Sequence, residues 1–327
     1  MPAYEPCVFC GSSDVCLDCQ VSIRGALNTD VTRCRRCGLL YVNPPPTPDQ
    51  ISQLYDTSYW DPPGTGAREA SRRYHRHYRF GAAYGRRLQR ISRQGRMLEI
   101  GCGLGFFLKG VADHCDWQVE GVDVAAGLEA FAREKLGVRV TEGRFEEIDF
   151  AGRQFDLVLA RDVLEHVPRP MAFLEAASRI LRPGGLLELE LPNGPLDLAP
   201  ARRAFRRGER ASMGAGHLLF ISPRVLRAMV AGAGFVVVSA SVHSFRDGLR
   251  SLGLWSERPR RLALGPPKPP TSQQALELWE RPAPEHGLRG TMLYARLRQW
   301  RSTHPALPAW LPIGFRQHLV ARRSGKA

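Results

Sequence analysis

Lysine is nearly absent from this 327-residue chain: only Lys109, Lys135, Lys268 and Lys326 are found among 46 basic residues. The rest are arginines, and with 32 acidic residues they leave a formal net charge of +14. An anionic substrate, nucleic acid and an anionic membrane surface are all compatible with that balance, as is a bias in nucleotide composition. Long apolar runs are also missing. None approaches the ~18–20 residues that a membrane-spanning helix needs. The opening stretch MPAYEPCVFC has neither a basic nor an apolar leader region, so a cytoplasmic location is expected. Cysteine is scarce after residue 37, where only Cys102 and Cys115 occur. The other six form the pairs Cys7/Cys10, Cys16/Cys19 and Cys34/Cys37, a spacing that favours metal over disulfides in a reducing compartment.

The positive charge is clustered. Ten arginines fall between Arg68 and Arg96, and five between Arg202 and Arg210. In the first cluster Tyr74, Tyr78, Gly81, Tyr84, Leu88 and Ile91 recur at steps of three and four, one face of a helix. From Met97 to Ala240 short apolar runs alternate with helical stretches. This pattern predicts an α/β fold, a doubly wound and mainly parallel sheet. Strands are expected at Met97–Ile100, Gln118–Val122, Val138–Thr141, Phe155–Ala160, Leu186–Leu191 and Phe235–Ala240. Helices are expected at Phe106–Ala112, Gly127–Leu136, Pro170–Leu181 and Pro223–Ala233. The organisation expected is a cysteine module at 1–43, a linker and helical segment at 44–94, the sheet domain at 95–241, an irregular or helical insertion at 242–315, and a terminal strand with a basic tail at 316–327.

The densest motif is Leu98-Glu99-Ile100-Gly101-Cys102-Gly103-Leu104-Gly105. An apolar strand turns there on three glycines into a helix, which lets backbone approach a ligand at the carboxyl end of a strand. A dinucleotide site wants GxGxxG. Here the spacing is GxGxG, and Phe106 stands where the third glycine of that pattern belongs. Glu99 would also repel a pyrophosphate, whereas a ligand with an ammonium group tolerates it. A nicotinamide oxidoreductase is thereby disfavoured.

Four further blocks follow in order: Gly121-Val122-Asp123, Glu142 to Glu146, the stretch from Gln154 through Asp162 to Val167, and Leu181-Arg182-Pro183-Gly184-Gly185. Together the five blocks resemble the class I S-adenosylmethionine-dependent methyltransferases over about residues 95–240. The resemblance implies a cofactor, S-adenosylmethionine, held by Glu99, Gly101, Cys102, Gly103, Gly105, Asp123, Val124, Phe145, Glu146 and Arg161. Asp123 would take the ribose hydroxyls, because a carboxylate accepts two hydrogen bonds side by side. Arg144 occupies the place where the family often has an acidic residue for the adenine amino group, so Glu146 or a backbone carbonyl would serve. The family also returns its last strand antiparallel to the sheet, which His318–Ala321 would do beside Phe235–Ala240.

Zinc takes four thiolate or imidazole ligands, often from two CxxC turns. Gly11 follows Cys10 and Gly38 follows Cys37, allowing the turn in which backbone amides point at sulfur, whereas Gln20 follows Cys19. Cys7, Cys10, Cys34 and Cys37 are therefore the expected ligands of a structural zinc. The sequence Cys37-Gly38-Leu39-Leu40-Tyr41-Val42-Asn43-Pro44 is similar to a stretch following the zinc ribbon of some bacterial methyltransferases.

Methyl transfer needs a positioned nucleophile and a group to remove its proton. The candidates are His217, His166 and Asp162, with Glu165 as a further carboxylate. The segment from Gly216 to Pro223 is similar to one in zinc-ribbon relatives, including sugar C-methyltransferases, whose histidines at both places lie near substrate. The acidic residue usual before the second histidine is Gly216 here. The expected activity is methylation of an O, N or C nucleophile on a small molecule, with polysaccharide or natural-product biosynthesis as the setting. The alternative is a nucleic-acid-binding zinc-ribbon protein or an RNA methyltransferase. No specific nucleic-acid partner is expected. Tyr55, Tyr59 and Trp60 are candidates for a lid. Trp255, Trp279, Trp300 and Trp310 of the insertion are candidates for the acceptor pocket or for peripheral membrane contact.

Overall fold

The structure is a computed structural model that describes residues 4–47, 49–51, 67–214, 216–254 and 314–324. Tyr55, Tyr59, Trp60 and the four insertion tryptophans lie outside the described residues.

Apolar runs of strand length sit where the alternation placed them. A seven-stranded sheet is built from β4 (Arg96–Ile100), β5 (Gln118–Asp123), β6 (Arg139–Glu142), β7 (Phe155–Arg161), β8 (Leu181–Pro192), β11 (Phe235–His243) and β12 (Arg316–Arg323). Its order is β11-β12-β8-β7-β4-β5-β6. β4 pairs parallel with β5, and β5 with β6. β12 runs antiparallel to both β8 and β11, with Val320 opposite Ser239 and Leu319 opposite Ala240. The terminal strand thus inserts between two strands that precede it, as the family resemblance implies.

A second, five-stranded sheet starts in the cysteine region: β1 (Val15–Ile23), β2 (Leu27–Cys34) and β3 (Leu40–Asn43) form an antiparallel meander. Two short strands far along the chain complete it. β9 (Ala211–Met213) pairs with β1, and β10 (Leu219–Phe220) pairs with β3. Asp18 on β1 is held by Arg33 and by a two-pronged contact from Arg202 on α6 (Ala199–Arg206).

By contact density the described residues fall into two units. One draws on Met1–Leu54, Ala160–Arg258 and Ala306–Ala327, the other on Tyr55–Leu159. In the second unit α1 (Ala67–Ile91) and α2 (Phe106–Ala112) pack together. Tyr74 stacks on Phe106 with ring centroids 4.6 Å apart. The arginines at 76, 86, 87, 90 and 93 are exposed, as the helical stripe required. Ile91 departs from the stripe: it ends the helix and is 69% exposed.

Two local readings change. Gly127–Leu136 is not one α-helix. It divides into α3 (Leu128–Phe131) and a wider π turn at Ala132–Leu136. The helix α4 (Pro170–Ile180) ends at Ile180, and β8 already begins at Leu181, taking in Pro183-Gly184-Gly185 with Gly184 at φ 79°. The reason is local: Arg182 precedes proline, which disfavours helical backbone, and Leu181 is already extended.

Gly121 on β5 is fixed by crowding. A Cβ there would lie 2.5 Å from Cys102 Sγ and 2.5 Å from Leu108 Cδ1. Gly121→Ala should therefore destabilise the fold by ~1–3 kcal/mol, the usual result of overpacking. Urea denaturation measures it, and an unchanged midpoint would show that Cys102 and Leu108 yield freely.

Candidate cofactor loop, cysteine cluster and histidine cluster

The glycine loop follows β4. Gly101, Gly103 and Gly105 have φ of 71°, 55° and 83°, a left-handed path open to glycine and strained for other residues. Asp123, at the end of β5, is 3% exposed. Its Oδ2 accepts from the Gly103 amide at 2.8 Å and its Oδ1 from the Ala125 amide at 3.0 Å. Burial raises the Asp123 carboxyl above its ordinary range, and these amides only partly offset that. Each oxygen keeps accepting capacity, so the carboxylate suits a ligand that presents hydroxyl donors. Val124, the next residue, is 60% exposed.

Glu99 is buried, and Cys102 is buried with its thiol directed to the Gly103 carbonyl. Burial pushes the Cys102 thiol up, so it is an inert filler rather than a nucleophile. The Phe145 ring is buried in contact with Phe150, centroids 6.0 Å apart, and its carbonyl accepts from the Ile148 amide at 3.3 Å. Glu146 is half-buried, and Arg144 pairs with Glu147 at 3.2 Å. Arg161, half-buried, ends β7.

Asp123→Ala should weaken S-adenosylhomocysteine binding by ~1–3 kcal/mol, the cost of leaving ligand hydroxyls unpaired. Calorimetry would remove Asp123 from the site if affinity were unchanged.

The cysteines form two matching turns. Gly11 N donates to Cys7 O and Gly38 N to Cys34 O, both at 2.9 Å. Cys7 and Cys37 sulfurs are 3.6 Å apart, Cys10 and Cys34 sulfurs 3.5 Å, and all four lie within 4.8 Å of one another. Four thiolates around zinc at ~2.3 Å are about 3.8 Å apart, so the set fits a tetrahedral ion. Burial alone would raise the Cys34 thiol, but the amide of Cys37 and the neighbouring thiols outweigh it and bring it to about 7. Cys16 and Cys19 lie along β1, opposite Arg33 and Val31, in extended backbone that makes no such turn. Burial lifts the Cys19 thiol to about 12.

The third group of side chains gathers after β7 and around β10. A 3₁₀ turn, Leu164–His166, carries Glu165 and His166. His217 precedes β10, and the Leu218 amide donates to Glu165 O at 2.8 Å, tying the two segments together. The His166 and His217 rings meet edge to face, centroids 4.9 Å apart. His166 Nδ1 lies 3.2 Å from the Gly216 carbonyl, so Nδ1 carries the proton there. Burial first, and then His217, lower His166 to about 3, which keeps it neutral. His217 Nδ1 is 2.6 Å from Asp197 Oδ2, and its Nε2 is 3.9 Å from Glu165 Oε1. Burial opposes the His217 imidazolium, but Asp197, Glu165 and Asp162 outweigh it and raise its proton affinity. Glu165 is buried, and among the described residues neither carboxylate oxygen has a hydrogen-bond partner; that burial lifts it to about 8.

Asp162 is placed differently. It has a positive φ of 57°, and its carboxylate is ion-paired with Arg316 of β12, whose Nε also holds Glu190 at 2.9 Å. Asp197, Glu190 and Arg316 escaped the sequence reading. Arg316 is 126 residues from Glu190 and 154 from Asp162, and no motif announces such a contact.

A family profile described as "Methyltransferase domain" matches residues 72–240, just over half of the chain. The chain belongs to the class I S-adenosylmethionine-dependent methyltransferases. The match covers the glycine loop, Asp123 and both segments of the histidine cluster. This methyltransferase is 32% identical over 157 residues to the ubiquinone biosynthesis O-methyltransferase of Azorhizobium caulinodans, spanning 43% of this chain and 58% of that protein. It is 39% identical over 97 residues to the protein of the same name from Dinoroseobacter shibae, spanning 28% of this chain and 39% of that one. The chain thus covers about half the length of these relatives or less. Among solved structures it is similar to SAM-bound CalS10, an amino pentose methyltransferase from Micromonospora echinaspora. The identity is 31%, the coverage 35% of this chain and 50% of that one, and the TM-score 0.31.

Proposed function

We propose that this methyltransferase acts on a small-molecule acceptor, removes the acceptor's proton through His217 with His166 beside it, and carries zinc on Cys7, Cys10, Cys34 and Cys37 as a structural ion. The observation that carries the reading is the edge-to-face meeting of half-buried His166 with buried His217, which are 51 positions apart and joined through Glu165 and Leu218. The family supplies S-adenosylmethionine, whose sulfonium methyl is the group transferred. Glycine turns at 101, 103 and 105 would admit its backbone contacts, and Asp123 its ribose. Polysaccharide or natural-product biosynthesis is the setting that the zinc-ribbon likeness suggests. The deciding experiment is transfer of a labelled methyl group to a panel of sugars, phenols and amines, with duplex and single-stranded RNA in parallel. Label in a small molecule supports the reading, and label in RNA alone overturns it.

The second reading, a nucleic-acid methyltransferase or binder, draws on the exposed arginines of α1. It requires polyanion binding that falls by orders of magnitude between low and moderate salt. Among the described residues no helix is long and apolar enough to cross a membrane.

A further inference from the structure

The short helix α5 (Gly194–Asp197) follows β8 and begins against β10. A Cβ on Gly194 would fall 1.9 Å from the Phe220 carbonyl carbon and 2.3 Å from the Ile221 nitrogen, so only glycine permits this approach. The Gly194 amide donates to Ile221 O at 2.9 Å. Gln317 of β12 locks the same place: its side-chain amide donates to Ile221 O at 2.8 Å and to Pro192 O at 2.9 Å. One turn after Gly194, Asp197 donates its own amide to Asn193 O and turns its carboxylate to His217 Nδ1. Both side chains are largely buried, at 13% and 9% exposure.

An ionised carboxylate only accepts, so the proton between these atoms belongs to the imidazole. With Nδ1 carrying that proton, the neutral ring has its lone pair on Nε2. We infer that Asp197 is a positioning residue for methyl transfer: it fixes His217 as the Nδ1-protonated tautomer and leaves Nε2 as the atom that takes the acceptor's proton. The inference rests on the proposed role of His217. As the acceptor atom forms its bond to the methyl carbon, its proton passes to Nε2. The electron pair of the broken sulfur–methyl bond stays on sulfur, and Asp197 faces the imidazolium that results.

Other groups around the ring do not take this part. Glu165 lies 3.9 Å from Nε2, beyond hydrogen-bond range. His166 presents its ring edge to face and has its Nδ1 on the Gly216 carbonyl. Asp162 is held by Arg316. Phe220, 6.5 Å away centroid to centroid, is apolar, and the charge of Arg24 acts on His166.

The test is Asp197→Asn in the full, zinc-loaded chain. An asparagine can donate to Nδ1 and so leave the proton on Nε2, the wrong atom. Nitrogen-15 spectra of histidine-labelled protein, with His217 assigned by its loss in His217→Ala, should show the proton on Nδ1 in the native chain and on Nε2 in the variant. The His217 titration should move to lower pH in Asp197→Asn and return upward in Asp197→Glu. Turnover on the acceptor found by the labelled-methyl screen should fall by ~10²–10⁴-fold, the scale of general-base loss and of a wrong tautomer. The acid limb of kcat/KM should follow the titration to lower pH, while S-adenosylhomocysteine affinity stays near native. A purely structural Asp197 would lower turnover without moving either the tautomer or the limb, and that result overturns the inference. If His217→Ala loses turnover and Asp197→Asn does not, only this inference fails. If His217→Ala turns over normally, the reading of His217 beneath it fails first.

Discussion

Replacing His217 by alanine should lower turnover by ~10²–10⁴-fold and leave S-adenosylhomocysteine affinity nearly native. Methyl transfer from a sulfonium has a neutral leaving group, so the barrier that a protein can lower lies in positioning the acceptor and removing its proton. His217 is suited to the second task. Its ring is buried, and neighbouring carboxylates raise its proton affinity above the ordinary histidine value near 6.5. The sign follows from that direction: the base form is lost as pH falls through the raised value, so activity should decline on the acid side at a higher pH than a free imidazole would give. His166→Ala should cause a comparable loss if the pair acts as one unit, and the double variant should then be little worse than either single one. Steady-state kinetics with calorimetry as the control separate these outcomes. Normal turnover in His217→Ala would make this histidine structural and leave His166 or Asp162 to carry the proton.

The second large effect concerns the cysteines. Native mass spectrometry should find one zinc per chain, lost in Cys34→Ser and retained in Cys16→Ser. A structural zinc contributes on the order of 10 kcal/mol to the folding of an isolated finger, so losing it should unravel the turns at Cys7–Gly11 and Cys34–Gly38. The damage should travel along the five-stranded sheet. β3 begins two residues after Gly38, pairs with β10 through Leu40–Phe220 and Tyr41–Leu219, and donates its Val42 amide to the carbonyl of Leu218, the residue next to His217. Chelation should therefore reduce turnover more than it reduces cofactor affinity. The opposite metal pattern, loss in Cys16→Ser and retention in Cys34→Ser, would show that β1 supplies the ligands.

The sequence alone determined the features that short stretches of backbone enforce. Three glycines after an apolar strand specify a left-handed turn because side chains are strained there. Glycine after the second cysteine specifies the sulfur-binding turn, and Gln20 marks the pair that lacks it. Alternating apolar runs specify strands and helices, and five blocks in order specify the parallel sheet and the methyltransferase family.

Only the tertiary structure decided which side chains share a site. Asp162, Glu165 and His166 occupy one stretch, yet Asp162 turns to Arg316 while Glu165 faces His217. Asp197 meets His217 because a glycine lets α5 press on β10, an event set by two backbones rather than by a motif. β9 and β10 join the cysteine sheet although nearly 200 residues separate them from its first strand. Such contacts depend on where distant segments cross, and the energy that selects a crossing is spread over many buried side chains. Turn chemistry is local and can be read from neighbours in sequence; the partners of a buried charge are set by the whole fold.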